Sequence, residues 1–273
     1  MSTNVTLSSS ISANLHSLQA TQKLMNQTEY RLTTGKKVNS ALDDPINYFT
    51  ASDHTQKASD LQVLKDSMGE GIETINAASE GIDAISDLID SAKSLAQSAQ
   101  ATTVAADRSS YMTQYNAILT EITNLASDSG YSGTNLLTGG TTTVNFNTAG
   151  TSKITITGIT ATATGLSLIT QTETAGDWAS ADITAAITAL DSAKGTLRTG
   201  AKTLSTQLNT VTARQDFTAN MINTLTEGAG NLVNADTTEE GVKLTTLQTQ
   251  QSLAVQSLSI ANSAGQAVLS LFQ

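Results

Sequence analysis

The sequence predicts a mainly α protein: long heptad-bearing helices in a rod-like antiparallel bundle, paired N- and C-terminal helices, and a small central β-hairpin segment. Three observations carry this. Two long stretches repeat apolar residues every 3.5 positions on average. Both ends are free of charged side chains yet keep an apolar stripe. Between them lies a short stretch that alternates apolar and polar residues.

The first seam runs Leu61, Leu64, Met68, Ile72, Ile75, Ala78, Ile82, Ile85, Ile89, Ala92, Ala96 and Ala99. A step near 3.5 residues held for five heptads marks a coiled-coil seam. The second runs Ile183, Ile187, Leu190, Lys194, Leu197, Ala201, Leu204, Leu208, Val211, Gln215, Thr218, Ile222 and Leu225. Lys194 and Gln215 interrupt this stripe, and polar seam residues can fix register at a cost in stability. A shorter helix reads from Tyr111, Tyr115, Ile118, Ile122 and Leu125, closed by the turn signal SDSGYSG. Residues 45–137 and 179–231 are therefore expected to form the bundle. Residues 138–178, rich in Thr, Val and Ile and broken by glycines, read as one or two hairpins within its outer part.

The ends are expected to pair. Leu7, Ile11, Leu15, Leu18, Met25 and Leu32 form one stripe, and Leu244, Leu247, Ala254, Leu258, Ala261, Val268 and Phe272 the other, with Gln251 and Gly265 in its seam. Residues 1–22 and 244–273 contain no Asp, Glu, Lys or Arg, in a chain of net charge -10. A solvent-facing helix carries charge on its outer side. Ser, Thr, Asn and Gln instead suit a helix packed on several sides, because they avoid the desolvation cost of burying an ion. One copy cannot surround its own ends, so other copies are expected to. Residues 1–44 and 232–273, with their connecting segment, are thus the expected assembly core.

Composition narrows the function. At 273 residues and 38% hydrophobic the chain can bury a core, and only 4% of its residues are aromatic. A pI near 4.5 and the lack of any basic cluster argue against nucleic acid. Cysteine is absent, which removes disulfides and thiolate sites. Neither a secretory leader nor a membrane-length apolar run is evident, so the general secretory route and membrane insertion are not expected. His16 and His54 stand in no ligand spacing. Asp43 and Asp44 could be read as an acid/base couple. Before Pro45, however, an Asp N-cap with Pro at the first helical position is the stronger reading. GEGIET, from Gly69, sits inside the heptad and is no nucleotide loop. No enzyme, metal or cofactor site is expected.

Three motifs carry a resemblance. RLTTGKKVNSALDD (residues 31–44) resembles the R-L-[ST]-[ST]-G-x-x-[IV]-N-S-A-x-D-D stretch of bacterial flagellins. SGTNLLTG (132–139) resembles their F-N-G-x-x-L-L-x-G turn, with Tyr131, Ser132 and Gly133 in place of Phe, Asn and Gly. LSIANSAGQAVLSLF (258–272) is similar to their C-terminus. Pro45 follows the Asp pair where the family often has Ala or Gly. The first motif marks Arg31, Gly35, Asn39, Asp43, Asp44 and Pro45 as an inter-domain connector.

The resemblance implies a subunit that self-assembles into the bacterial flagellar filament for motility, its terminal helices lining the inner tube. It further implies export by the flagellar type III apparatus, with an export chaperone, a filament cap and hook-associated junction proteins as partners. The terminal stripes are then expected to order only on assembly. Alternative readings are a hook–filament junction protein and a type III-secreted coiled-coil translocator, the latter lacking its strongly apolar hairpin here. Many flagellins also carry L-Q-R-x-R-E-L-x-V-Q on the first long helix, read by the vertebrate flagellin receptor. Here the stretch is LIDSAKSLAQSA (88–99), with Asp90 for an Arg and Lys93–Ser94 for the Arg-Glu pair. An ammonium does not replace a bidentate guanidinium, so weak or no receptor activation is expected.

Overall fold

The computed structural model describes residues 9–173 and 176–270. In order they form α1 (Ser9–Thr34), α2 (Pro45–Ala101), α3 (Ala105–Asp128), β1 (Thr141–Asn145), β2 (Lys153–Thr157), α4 (Ser180–Val233) and α5 (Thr237–Ser270). The chain divides into two compact units, residues 1–56 with 224–273 and residues 57–223. Both boundaries fall inside the long helices α2 and α4.

The larger unit holds one continuous core. From α2 it takes Met68, Ile75, Ala78, Ile82, Ile85, Ile89, Ala92, Ala96 and Ala99. From α4 it takes Ile183, Ala186, Leu190, Ala193, Leu197, Leu204 and Val211. Leu64, Ile72, Ile187 and Leu208 are half-buried at its edge, as are Leu61 and Ile222 on the same two helices. Cross-helix bonds from Lys93 to Asp191 and from Gln100 to Thr184 run in opposite sequence directions, so α2 and α4 are antiparallel.

The second seam differs from its sequence expectation in a regular way. Where Ile187, Lys194 and Ala201 were expected to face inward, Ala186, Ala193 and Gly200 do so. The innermost line takes the smaller of two neighbouring residues, because closely packed helices leave no room for the larger one. Lys194 therefore sits on the rim. Gln215 is accommodated differently: its amide donates to the Lys65 carbonyl of α2 at 3.3 Å, so the polar group is satisfied across the helix pair. On α3, Met112, Tyr115, Leu119, Ile122 and Ala126 are buried, with Tyr111, Ile118 and Leu125 half-buried beside them.

One hairpin forms among the described residues of the central segment. β1 and β2 pair antiparallel with Val144 opposite Ile154 and Thr142 opposite Ile156. Alternation puts Thr142, Val144, Ile154 and Ile156 on the inner face and Thr141, Thr143, Thr155 and Thr157 outward. The hairpin lies so close to α2 that a Cβ at Gly71 would meet Val144 Cγ2 at 2.6 Å. Asn135 anchors the turn before it: its amide donates to the carbonyls of Ala126 and Ser127, and its oxygen accepts from the Leu137 amide. Leu136 and Leu137 are buried as a result. After the hairpin the chain returns to Trp178, which is fully buried, stacks obliquely on Tyr115 at 5.2 Å and donates its indole N–H to Gln171.

Candidate assembly interface

In the smaller unit α1 and α5 pack along one another. One line of α1 residues withdrawn from solvent is Ile11, Asn14, Leu18, Thr21, Met25, Thr28 and Leu32, with Ser12 and Arg31 half-buried beside it. Those of α5 are Glu240, Leu244, Leu247, Gln251, Ala254, Leu258 and Ala261. Gly241, beside Glu240, is half-buried as well. Both lines step by alternating threes and fours, the heptad expected of two paired stripes. The pairing is antiparallel: Arg31 bonds Glu240, and Gln251 donates to Gln22 at 2.7 Å.

Most expected stripe residues lie on these lines. Leu15 does not. It stands one position off, 39% exposed, and Asn14 takes the inward place. Thr21 and Thr28, 8% and 5% exposed, were not anticipated, though a step of four back from Met25 and Leu32 reaches both. Thr21 returns its hydroxyl to the Ser17 carbonyl at 2.9 Å, so it can be buried without an orphaned donor. Leu7, Phe272 and the side chain of Val268 lie outside the described residues. On α4, Leu225 of this unit is half-buried.

The connector is built by local polar chemistry. α1 ends at Thr34, and Gly35 follows at φ +68°, a left-handed cap that glycine adopts without a Cβ penalty. Its carbonyl accepts from the Ala235 amide, and the amides of Lys37 and Val38 donate to the Val233 carbonyl. Those bonds tie the segment after α1 to the segment before α5. Asn39 donates its side chain to the Lys36 carbonyl and its backbone N–H to Asp43. The amides of Asn39 and Ser40 both donate to the Asp43 carboxylate and hold it below the usual carboxylate range. Asp44 accepts from the Asn47 amide at 3.0 Å and is the N-cap of α2, with Pro45 at the first helical position.

A second cap was missed. Asp236 accepts from the amides of Glu239 and Thr238 at the start of α5, which lowers its carboxyl as well. Glu240 also went unnoticed, although it continues the heptad one step before Leu244. Its side chain is 5% exposed, receives Arg31 at 3.2 Å, and has Lys243 at 3.5 Å from the same oxygen. Lys243 is raised above the usual lysine range, first by its hydrogen bond to Glu239. A buried carboxylate is held by such partners or not at all.

Outward, this unit is strongly apolar. Leu24, Tyr30, Leu42, Ile46, Phe49, Val242, Leu253, Val255 and Ile260 are all more than half exposed, Leu42 at 96%. Leu24, Val242, Thr246 and Leu247 line a recess of about 370 Å³ against the Arg31–Glu240 pair. A spread of this kind over α1, α5, the connector and the first turns of α2 marks a surface that meets other protein. Among the described residues no three His, Asp or Glu side chains gather as a metal site, and no helix is long and apolar enough to cross a membrane. His16 is exposed on α1, and His54 lies on α2 near Gly228. The site defines a structural, assembling protein.

Comparison with known proteins specifies which. Residues 5–142 match the family description Bacterial flagellin N-terminal helical region, and residues 181–272 match Bacterial flagellin C-terminal helical region. Flagellin FljM of Caulobacter vibrioides is 32% identical over 262 residues, 95% of this chain and 94% of that protein. Flagellin FljN of the same organism is 33% identical over the same shares. A flagellin of Brucella melitensis is 32% identical over 284 residues, the full length of both chains. A crystal structure of Bacillus cereus flagellin is 21% identical, covers 56% of this chain and 88% of that one, and has a TM-score of 0.49. The chain belongs to the bacterial flagellin family, and so is a structural subunit that polymerises with itself into the extracellular flagellar filament.

Proposed function

We propose that α1 and α5 form the innermost layer of the filament wall, and that the residue 45–137 and 179–231 bundle, with the 138–178 hairpin segment, lies outside it. Support comes from the charge-free stretch from Leu244 onward together with the exposed Leu253, Val255 and Ile260 upon it. Such a helix pays no ionic desolvation when neighbours close around it. Each subunit then offers one surface to a different surface of the next, the arrangement that propagates as an open helix. The connector residues Arg31, Gly35, Asn39, Asp43, Asp44 and Pro45 join the layers.

Export as an unfolded chain by the flagellar type III apparatus belongs to the same proposal, as do a chaperone, a filament cap and hook-associated junction proteins as partners. Weak or absent activation of the vertebrate receptor is part of it too. That reading is supported by Asp90 and Lys93, which are engaged with α4 of their own chain, and by Ser94, whose hydroxyl returns to the Asp90 carbonyl. A receptor reporter assay tests it, and a nanomolar response would overturn it.

The layer assignment is tested by electron microscopy of purified chain seeded or salted with ammonium sulfate, beside a deletion of residues 244–273. Long tubes from the full chain and none from the deletion are expected. Tubes from both would remove the terminal helix from the assembly core.

A further inference from the structure

The tetrapeptide Asp-Ser-Ala-Lys occurs twice, at residues 90–93 in α2 and at 191–194 in α4. We infer that the two copies are a reciprocal lock that selects the register of α2 against α4. Because the helices are antiparallel, the acidic end of each copy meets the basic end of the other. Lys194 Nζ lies 2.6 Å from both Asp90 carboxylate oxygens, and Lys93 Nζ lies 2.5 Å from Asp191 Oδ1. Between these ends Ala92 and Ala193 are buried, 0% and 1% exposed, which brings the backbones close enough for short spans across. Ser91 and Ser192 turn their hydroxyls back to the carbonyls of Asp87 and Thr188.

The apolar stripes alone leave the register open. Both repeat every seven residues, α4 alternating Ile or Leu with Ala or Gly while α2 runs Ile82, Ile85 and Ile89 into Ala92, Ala96 and Ala99, so a slip of one heptad still keeps apolar facing apolar. The charges break that degeneracy. A slip in one direction sets Lys93 opposite Arg198 and leaves both aspartates facing Ala or Gln. A slip in the other sets Asp90 opposite Ile187 and Lys93 opposite Thr184, keeping a single opposed pair, Lys194 with Asp83. Only the observed register satisfies all four groups. The side chains are 30–55% exposed, so each pair adds little to overall stability. Choosing between registers requires only a difference between them, which charges supply by penalising the wrong one. This is independent of the layer proposal, since it concerns the folded subunit alone.

The native chain has no cysteine, so spin labels at Gln97→Cys and Thr188→Cys, both exposed, report on the helix pair alone. One heptad of slip displaces them by about 10 Å along the helix axis. The monomeric full chain is expected to give a single distance. Asp90→Lys with Asp191→Lys sets four lysines together, and a second, displaced distance should appear. Urea unfolding followed by Trp178 fluorescence should show a roughly two- to fivefold loss in folding constant per pair. Reversing all four charges (D90K, K93D, D191K, K194D) rebuilds both bridges with opposite polarity and should restore the single distance. The lock is overturned if the double variant keeps the native distance alone. It is equally overturned if the fourfold variant does no better than the double, including the case in which neither folds.

Discussion

The two units are both built on heptads, but their cores differ in kind. The larger unit fills its seam with Ile, Leu and Ala around Trp178 and Tyr115, nearly all of them fully buried. In the α1–α5 pair the corresponding line includes Asn14, Thr21, Thr28, Glu240 and Gln251, and Leu18, Leu32, Leu244, Leu247 and Leu258 are only half-buried. A half-buried leucine realises part of the roughly 1.5–3 kcal/mol that full burial provides. The larger unit is therefore self-sufficient. The smaller unit leaves more of its apolar surface in water, and in the proposed layer arrangement neighbouring copies cover it.

Replacing Trp178 by Ala removes the largest fully buried side chain and its contact with Tyr115. A loss of about 3–5 kcal/mol is expected, read by urea unfolding with circular dichroism, and amide exchange in α1 and α5 should not change. Simultaneous loosening of both units would erase the contrast. A matched pair of truncations sharpens it: Leu190→Ala, 0% exposed, is expected to cost about 2–5 kcal/mol. Leu258→Ala should cost less, about 1–2 kcal/mol in the monomer, because part of its apolar surface stays in water. The same Leu258→Ala change should raise the critical concentration for polymerisation, and equal costs in the monomer would show that α1 and α5 have a complete core of their own.

Arg31→Ala strands the Glu240 carboxylate with Lys243 as its remaining cationic partner. A local loss of about 1–3 kcal/mol is expected. Faster hydrogen exchange in the first turns of α5, with none in the larger unit, is the result that checks it. The smallest effect concerns pH. Asp43 and Asp236 are both lowered from 3.8, so the contribution of their hydrogen bonds to backbone amides is complete above that value and fades as acid protonates them. Lys243 is raised from 10.5, so its contribution is complete below that value and fades above its folded pKa. Amide protection at residues 35–44 and 235–243, corrected for the pH dependence of intrinsic exchange, should stay flat between about pH 4 and 10. Below pH 4 it should depart from the trend of the larger unit, and Asp43→Asn with Asp236→Asn should abolish the acid limb.

Periodicity, the start of α2 and the charge pattern were local, and they were legible without coordinates. The heptads of α1, α2, α4 and α5, the Asp44–Pro45 start of α2 and the alternating hairpin all depend on residues a few positions apart, where backbone geometry sets the spacing. What pairs with what was decided only in three dimensions. Ala193 rather than Lys194 faces α2, Asn14 rather than Leu15 faces α5, and Glu240 finds Arg31 more than two hundred residues away. A heptad names a stripe to within one residue, since neighbouring positions on a helix differ by about 100° of rotation. The final turn is settled by which side chain fits the distance between two packed helices, and by which charges meet when they do.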